Sequence, residues 1–117
     1  MAALNPKPRT RVRLRRSADF TRVQSAGRRA RGTHLQLVWA SGGGTESRCG
    51  FAVSRKVGNA VVRNRVKRWL REATRSLWAL VPVERSVDLV LLARPGAGDA
   101  GYARICSEVG DLFRRIT

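Results

Sequence analysis

Apolar residues recur along this chain with periods that change several times, and each change marks an element. In SADFTRVQSAG, Phe20 and Val23 share a helical face, Ser17 can cap, Asp19 suits the positive helix end, and Gly27 stops the turn. This predicts a short helix from about Ala18 to Ala26. THLQLVWAS then alternates: Leu35, Leu37 and Trp39 point one way, and His34, Gln36, Val38 and Ala40 the other. That is the pattern of a strand with one buried face. After the flexible Gly42 to Gly44 connection, SRCGFAVSR repeats the alternation, with Cys49, Phe51 and Val53 against Arg48, Gly50, Ala52 and Ser54. The two strands are expected to pair antiparallel.

Gly58 ends the second strand, and Asn59 can cap the longest element, a helix running to about Val81, where Pro82 stops it. Val62, Val66, Trp69, Leu70, Ala73, Leu77 and Leu80 form its core stripe. Asn64, Arg68, Arg71 and Arg75 form a second stripe, flanked by Arg63 and Lys67. SVDLVLLAR is a nearly continuous apolar run suited to a central strand. A final helix follows, with Tyr102, Ile105, Cys106, Val109, Leu112, Phe113 and Ile116 at helical spacing. The order α-β-β-α-β-α predicts an α+β sandwich with a small mixed sheet.

Residues 1 to 16 fit no such period. They combine two prolines with alternating arginines and read as a basic disordered or extended arm, leaving 17 to 117 as one domain.

Charge sharpens this picture. The 117 residues carry 24 Lys plus Arg against 8 Asp plus Glu, a net charge of +16. Residues 1 to 31 hold ten cations and one acid, and residues 48 to 75 hold nine cations and one acid, whereas the chain from residue 76 onward is balanced. Of the cations only Lys7, Lys56 and Lys67 are lysines. Arginine's planar fork suits bidentate phosphate contacts and stacking on bases, so a polyanionic partner, nucleic acid above all, is expected.

Other classes find less support. No apolar run approaches the roughly 18 residues of a membrane span, and the basic start lacks the apolar core of a secretory signal. Arginine richness alone imitates an organellar transit peptide, but serine is scarce there. Cys49 and Cys106 lack zinc-site spacing and read as small buried apolar residues, in keeping with a reducing cytoplasm. His34 stands alone and the acids are scattered, so neither a general acid and base pair nor a magnesium site is legible. A strand-surface hydrogen bond is the expected role for His34.

The segment Gly50 to Glu72, GFAVSRKVGNAVVRNRVKRWLRE, is the most informative. From Arg55 to Arg71 there are seven cations and no acid, a like-charge stack that costs stability unless a polyanion screens it. This segment resembles the protein subunit of bacterial ribonuclease P. The likeness rests on Arg63-Asn64-Arg65, set between Ser54 to Val62 and Val66-Lys67-Arg68. It extends to Asp19-Phe20, Gly27 and the strand ending Leu91-Leu92-Ala93-Arg94-Pro95, and covers the chain from about residue 12.

The resemblance implies a cofactor of a catalytic RNA that removes the 5′ leader from precursor tRNA. Cleavage is then RNA-borne and magnesium-dependent, and the protein alone does not cut. On this pattern Arg63, Asn64, Arg65, Lys67, Arg68 and Arg71 dock on the catalytic RNA, with Arg55 and Lys56 at the entrance. The leader lies in a cleft between the first helix and the exposed sheet face, walled by Phe20, Gln36, Val38, Ala52 and Ser54. Gln24 and Val38 stand where family members often carry aromatics, which shifts load onto Arg22, Arg28 and Arg29. The alternative is a structural RNA-binding protein of ribosomal type, distinguished by indifference to leader length; an autonomous nuclease would need cutting by protein alone.

Overall fold

The computed structural model describes residues 13–44, 46–82 and 84–116. Its elements in chain order are α1 (Ser17–Ala26), β1 (Arg28–Arg31), β2 (Leu35–Ser41), β3 (Arg48–Ala52), α2 (Ala60–Leu77), β4 (Val87–Ala93) and α3 (Tyr102–Phe113). Short 3-10 turns occupy Arg55–Val57, Trp78–Leu80 and Ala97–Asp99. The α+β class holds. Of the arm, expected to be disordered or extended over residues 1–16, residues 1–12 lie outside the described residues.

The strands form one mixed sheet in the order β1-β2-β4-β3. β2 and β3 are therefore not the expected antiparallel pair. β4 lies between them, antiparallel to β2 and parallel to β3. The reason is compositional: Val87 to Leu91 is buried at every position, and only a central strand covered on both faces can bury such a run. The connection through α2 brings β4 in beside β3, as a parallel neighbour requires.

β1 was not expected. Arg28–Arg31 carries three arginines and one buried residue, Ala30, so hydropathy gives no signal. It is held as an edge strand by antiparallel pairing to β2 over Arg28↔Trp39 to Arg31↔Gln36. Its charges also block further strand addition at that edge. Gly27 makes the tight entry from α1: a Cβ there would lie 2.4 Å from the Val23 carbonyl oxygen and 2.7 Å from that of Trp39.

Both sheet faces are covered. On one face α2 and α3 bury Leu37, Trp39, Leu89 and Leu91 against Val66, Leu70, Ile105 and Phe113. On the other, α1 closes a smaller cluster of Leu14, Val23, Val38 and Val90. Leu14 is thus part of the core although it lies within the segment expected to stand apart. Its backbone N–H donates to the Cys49 carbonyl at 3.1 Å, which anchors the end of the arm along β3.

The long helix follows its sequence closely. Asn59 caps it, its side-chain oxygen accepting from the Val62 N–H at 3.0 Å, and Gly58 precedes it at φ +157, a conformation that disfavours a Cβ. At α1 the expected cap shifts by one residue. Ser17 is already helical, and Arg16 occupies the cap position with no side-chain cap among the described residues. In α3, Ile105, Val109, Leu112 and Phe113 are buried as expected, whereas Tyr102 is 38% exposed and Cys106 half-buried.

Candidate nucleic-acid interface

Register defines the sheet face that α1 crosses. Arg29 and Arg31 from β1, Gln36, Val38 and Ala40 from β2, Asp88, Val90 and Leu92 from β4, and Arg48, Gly50 and Ala52 from β3 all project to it. α1 covers the Val38, Val90 and Gly50 level. The next level, Gln36, Leu92 and Ala52, remains half-buried. A strip of small, polar and apolar groups is left open beside the helix, with Ser54 exposed at its end.

Phe20 marks the boundary of this strip. Its ring lies directly over Gly50, where an added Cβ would come within 2.4 Å of ring atom Cζ. Only glycine allows the ring to lie so close to β3. Phe20 is packed against the small cluster yet half-buried, so one part of the ring faces outward. Gln24 follows one turn later on the same flank. Val38, expected in the cleft wall, is fully buried beneath α1. It supports the floor and offers no surface, because the helix needs an apolar seat for Val23.

What holds α1 in place is a buried carboxylate. Asp88, fully buried in β4, accepts from Arg48 Nε at 3.0 Å and Nη2 at 2.8 Å, and from Arg22 Nη2. Arg22 Nη1 also donates to the Ser41 carbonyl at 3.2 Å, and Asp19 lies 3.6 Å from Arg48. The Asp88 hydrogen bonds raise the Arg48 pKa above its ordinary value. Three elements are thereby tied together, and Arg22, expected at the leader, is largely committed to this clamp. Arg29 faces the cleft side and donates from Nη2 to the Gln24 carbonyl at 2.6 Å, whereas Arg28 projects to the opposite sheet face, across from Trp39.

The second basic surface lies on α2, on the other side of the sheet. Asn64, Lys67, Arg68 and Arg71 are exposed, as are Arg55 and Lys56 at its entrance. Arg63 and Arg65 are half-buried. The Arg65 guanidinium stacks over the Trp69 ring at 5.6 Å from its centroid and reaches the Gly98 carbonyl at 3.4 Å. Arg65 thus forms a shoulder of the helix rather than its crest. Val61, 71% exposed at the start of α2, adds an apolar contact to the same surface.

His34 has the hydrogen-bonding role expected of it, but from the turn before β2 rather than from the strand surface. Its Nδ1 pairs with Glu108 of α3, and its backbone N–H donates to Glu108 Oε1 at 2.8 Å. Burial pushes the Cys49 thiol up to about 12, which leaves it an unreactive neutral thiol. Among the described residues no three His, Cys, Asp or Glu side chains come together to hold a metal ion, and no helix is long and apolar enough to cross a membrane.

An α/β/α layer bearing one half-open groove and one arginine-rich helix, on opposite sides of a sheet, defines an RNA-binding protein. The family model for ribonuclease P matches residues 9–117. The ribonuclease P protein component of Desulfovibrio desulfuricans is 46% identical over 110 residues, covering 90% of this chain and 82% of that one. That of Acidothermus cellulolyticus is 39% identical, covering 92% and 90%. The structure of the ribonuclease P protein from Thermotoga maritima superposes with a TM-score of 0.79 at 28% identity, covering 90% of this chain and 97% of that one. The Staphylococcus aureus protein gives 0.79 at 26% identity, with 88% and 93% covered. The chain belongs to the ribonuclease P protein family, whose members are subunits of the holoenzyme that matures tRNA 5′ ends, and its partner is RNA.

Proposed function

We propose that the protein holds the 5′ leader of precursor tRNA in the strip beside α1 while α2 docks on the catalytic RNA. The observation that carries this reading is the placement of two basic surfaces on opposite sides of one sheet, joined at the β3 edge by Ala52, Ser54, Arg55 and Lys56. Two RNAs repel each other, and a cationic plate between them lowers that cost. Phe20 offers a ring face to a leader base, Gln36 a hydrogen-bonding amide, Ala52 and Ser54 a surface low enough for a strand to lie on, and Arg29 a phosphate partner. Arg22 acts indirectly, by seating α1.

On α2, Asn64, Lys67, Arg68 and Arg71 meet the catalytic RNA first. Arg63 and Arg65 contact it from the flank, and Arg55 and Lys56 bridge to the leader side. Cleavage is carried by magnesium bound to the RNA, and the protein lowers the magnesium concentration needed by screening phosphate repulsion. The complex works in the cytoplasm.

Single-turnover cleavage of precursor tRNA by a bacterial catalytic RNA at limiting magnesium, with and without the protein, tests this. Rescue in the mixture, together with no cutting by protein alone, is the expected result. Tight salt-sensitive RNA binding without rescue, for more than one bacterial catalytic RNA, would favour a purely structural RNA-binding role.

A further inference from the structure

The strip beside α1 does not end at Gln36. By register, Ala52, Leu92, Gln36 and Arg31 form one row across β3, β4, β2 and β1. At about 4.8 Å between neighbouring strands this row is about 14 Å long. Arg31 stands exposed at its far end, where β1 is the edge of the sheet. There an open pocket of about 480 Å³ begins, lined by Arg31, Gly32 and Thr33 on one side and by Arg104 of α3 and Arg115 just after it on the other. The pocket therefore joins the end of the row to the flank of α3.

Glu108 and Asp111 also line the pocket, but both are engaged. Glu108 is only 9% exposed, accepts from the His34 N–H at 2.8 Å and pairs with His34 Nδ1, and Asp111 pairs with Arg114 at 3.3 Å. The guanidinium groups of Arg31 and Arg104 have no ion-pair partner among the described residues. Arg115 donates to the Arg31 carbonyl at 3.4 Å, a contact that leaves its charge uncompensated. Three arginines brought to one pocket from distant parts of the chain repel one another unless an anion lies between them. The rim is also fixed in place. Gly32 N–H donates to the Leu35 carbonyl at 2.7 Å and Arg94 Nη1 to the Gly32 carbonyl at 3.1 Å, so little ordering is needed on binding.

We infer that the leader strand continues along this row and turns around the β1 edge, with its distal phosphates held by Arg31, Arg104 and Arg115. The pocket then sets how long a leader the protein can grip. A nucleic-acid strand is favoured over an acidic peptide because Arg31 belongs to both the row and the pocket, the cations are all arginines, and the chain's partner is RNA. The inference rests on the proposed placement of the leader beside Phe20, and the test separates the two.

The experiment assembles the holoenzyme with the full chain, either wild type or carrying both Arg31→Gln and Arg104→Gln. Affinity is measured for mature tRNA and for precursors whose leaders lengthen one nucleotide at a time. Both residues are exposed and Arg115 stays in place, so the fold is retained, which matching urea midpoints check. Wild-type affinity is expected to rise with leader length to a plateau. The variant is expected to follow wild type for mature tRNA and short leaders, then to level off earlier, about tenfold weaker for the longest leaders at 0.1 M salt. For those leaders its log-log salt slope should flatten by about 1.4, the loss of two single-strand phosphate contacts. Identical curves at every length would overturn the inference and leave the strip standing. An equal loss for mature tRNA, or weaker assembly with the catalytic RNA, would also overturn it, because the pocket would then contact a different RNA segment. No rise with leader length in wild type would sink the leader placement and its extension together.

Cross-linking with the wild-type holoenzyme gives a second readout that needs no variant. A photoreactive base close to the tRNA body is expected to join the segment containing Phe20, and one near the 5′ end of a long leader the segments Arg31 to Thr33 or Arg104 to Arg115. A distal base that joins only α1 or α2, or no part of the protein, would overturn the inference.

Discussion

Replacing Asp88 with Asn removes one negative charge from the centre of the α1 clamp and leaves its volume nearly unchanged. The carboxylate is fully buried and accepts three charge-assisted bonds, two from Arg48 and one from Arg22. Charge-assisted bonds contribute roughly 1.5–3 kcal/mol each when well shielded. Here the side chains of Arg48 and Arg22 are 31% and 42% exposed, so both can recover hydration, and the value per bond falls toward about 1 kcal/mol. The amide retains one acceptor but turns donors toward two guanidinium groups. The expected loss is about 2–4 kcal/mol, below the full cost of stranding a wholly buried charge. For a chain of this size it lowers Tm by roughly 10 °C or more. Urea titration followed by circular dichroism measures it directly. Because α1 loses its tether while α2 does not, leader-dependent binding should fall further than assembly with the catalytic RNA. A midpoint within about 0.3 kcal/mol of wild type would refute the claim that this clamp seats α1.

Arg65→Ala removes the stack on Trp69 and the reach to Gly98, and should weaken assembly more than leader contact; equal assembly affinities for mutant and wild type would take Arg65 out of that interface. Gly58→Ala puts a Cβ 2.9 Å from Val62 Cβ at a backbone angle that L residues rarely adopt, so a loss of about 1–3 kcal/mol is expected on urea unfolding. At Cys49 the thiol is held up near 12 against an ordinary 9.0. Above pH 9 the unfolded chain releases this proton while the folded one keeps it, so stability should decline as pH rises from about 9 toward 12, and removing the thiol with Cys49→Ala should flatten that decline. Alkylation of Cys49 at pH 8 should then track unfolding, and labelling at the rate of a free thiol would contradict the burial.

Much of this molecule was legible as pattern. α2 is the clearest case: a cap at Asn59, a three-and-four apolar stripe and a set of cations with no acid among them up to Arg71 each act within a few residues, and each appears where the spacing places it. β4 was equally plain as an element, since seven residues from Val87 to Ala93 carry one charge. Its partners were not legible, because pairing is decided by which strand can be covered on both faces, a property of the assembled sheet. β1 was invisible to hydropathy: three arginines conceal a strand whose stability comes from backbone pairing to β2. The charge within β4 was the overlooked signal. An aspartate inside a buried strand must be paired, and Asp88 pointed to arginines meeting it from elsewhere in the chain. The strip beside α1 was partly legible, since Gln36 and Ala52 share the sheet face that α1 crosses and Phe20 lies over Gly50 on it. Val38 shared their alternation but lay under α1, and alternation cannot tell which half of a sheet face a helix will cover.

Comparison of precursor and mature tRNA is the most direct test of the leader assignment. Equilibrium affinities of the assembled holoenzyme for both tRNAs should be measured with wild type and Phe20→Ala, at fixed salt and magnesium. The account predicts that the protein tightens binding of precursor over mature tRNA, and that Phe20→Ala removes about 1–3 kcal/mol of that preference while leaving mature tRNA unaffected. An equal gain for both tRNAs, or a preference untouched by Phe20→Ala and by leader truncation, would contradict it.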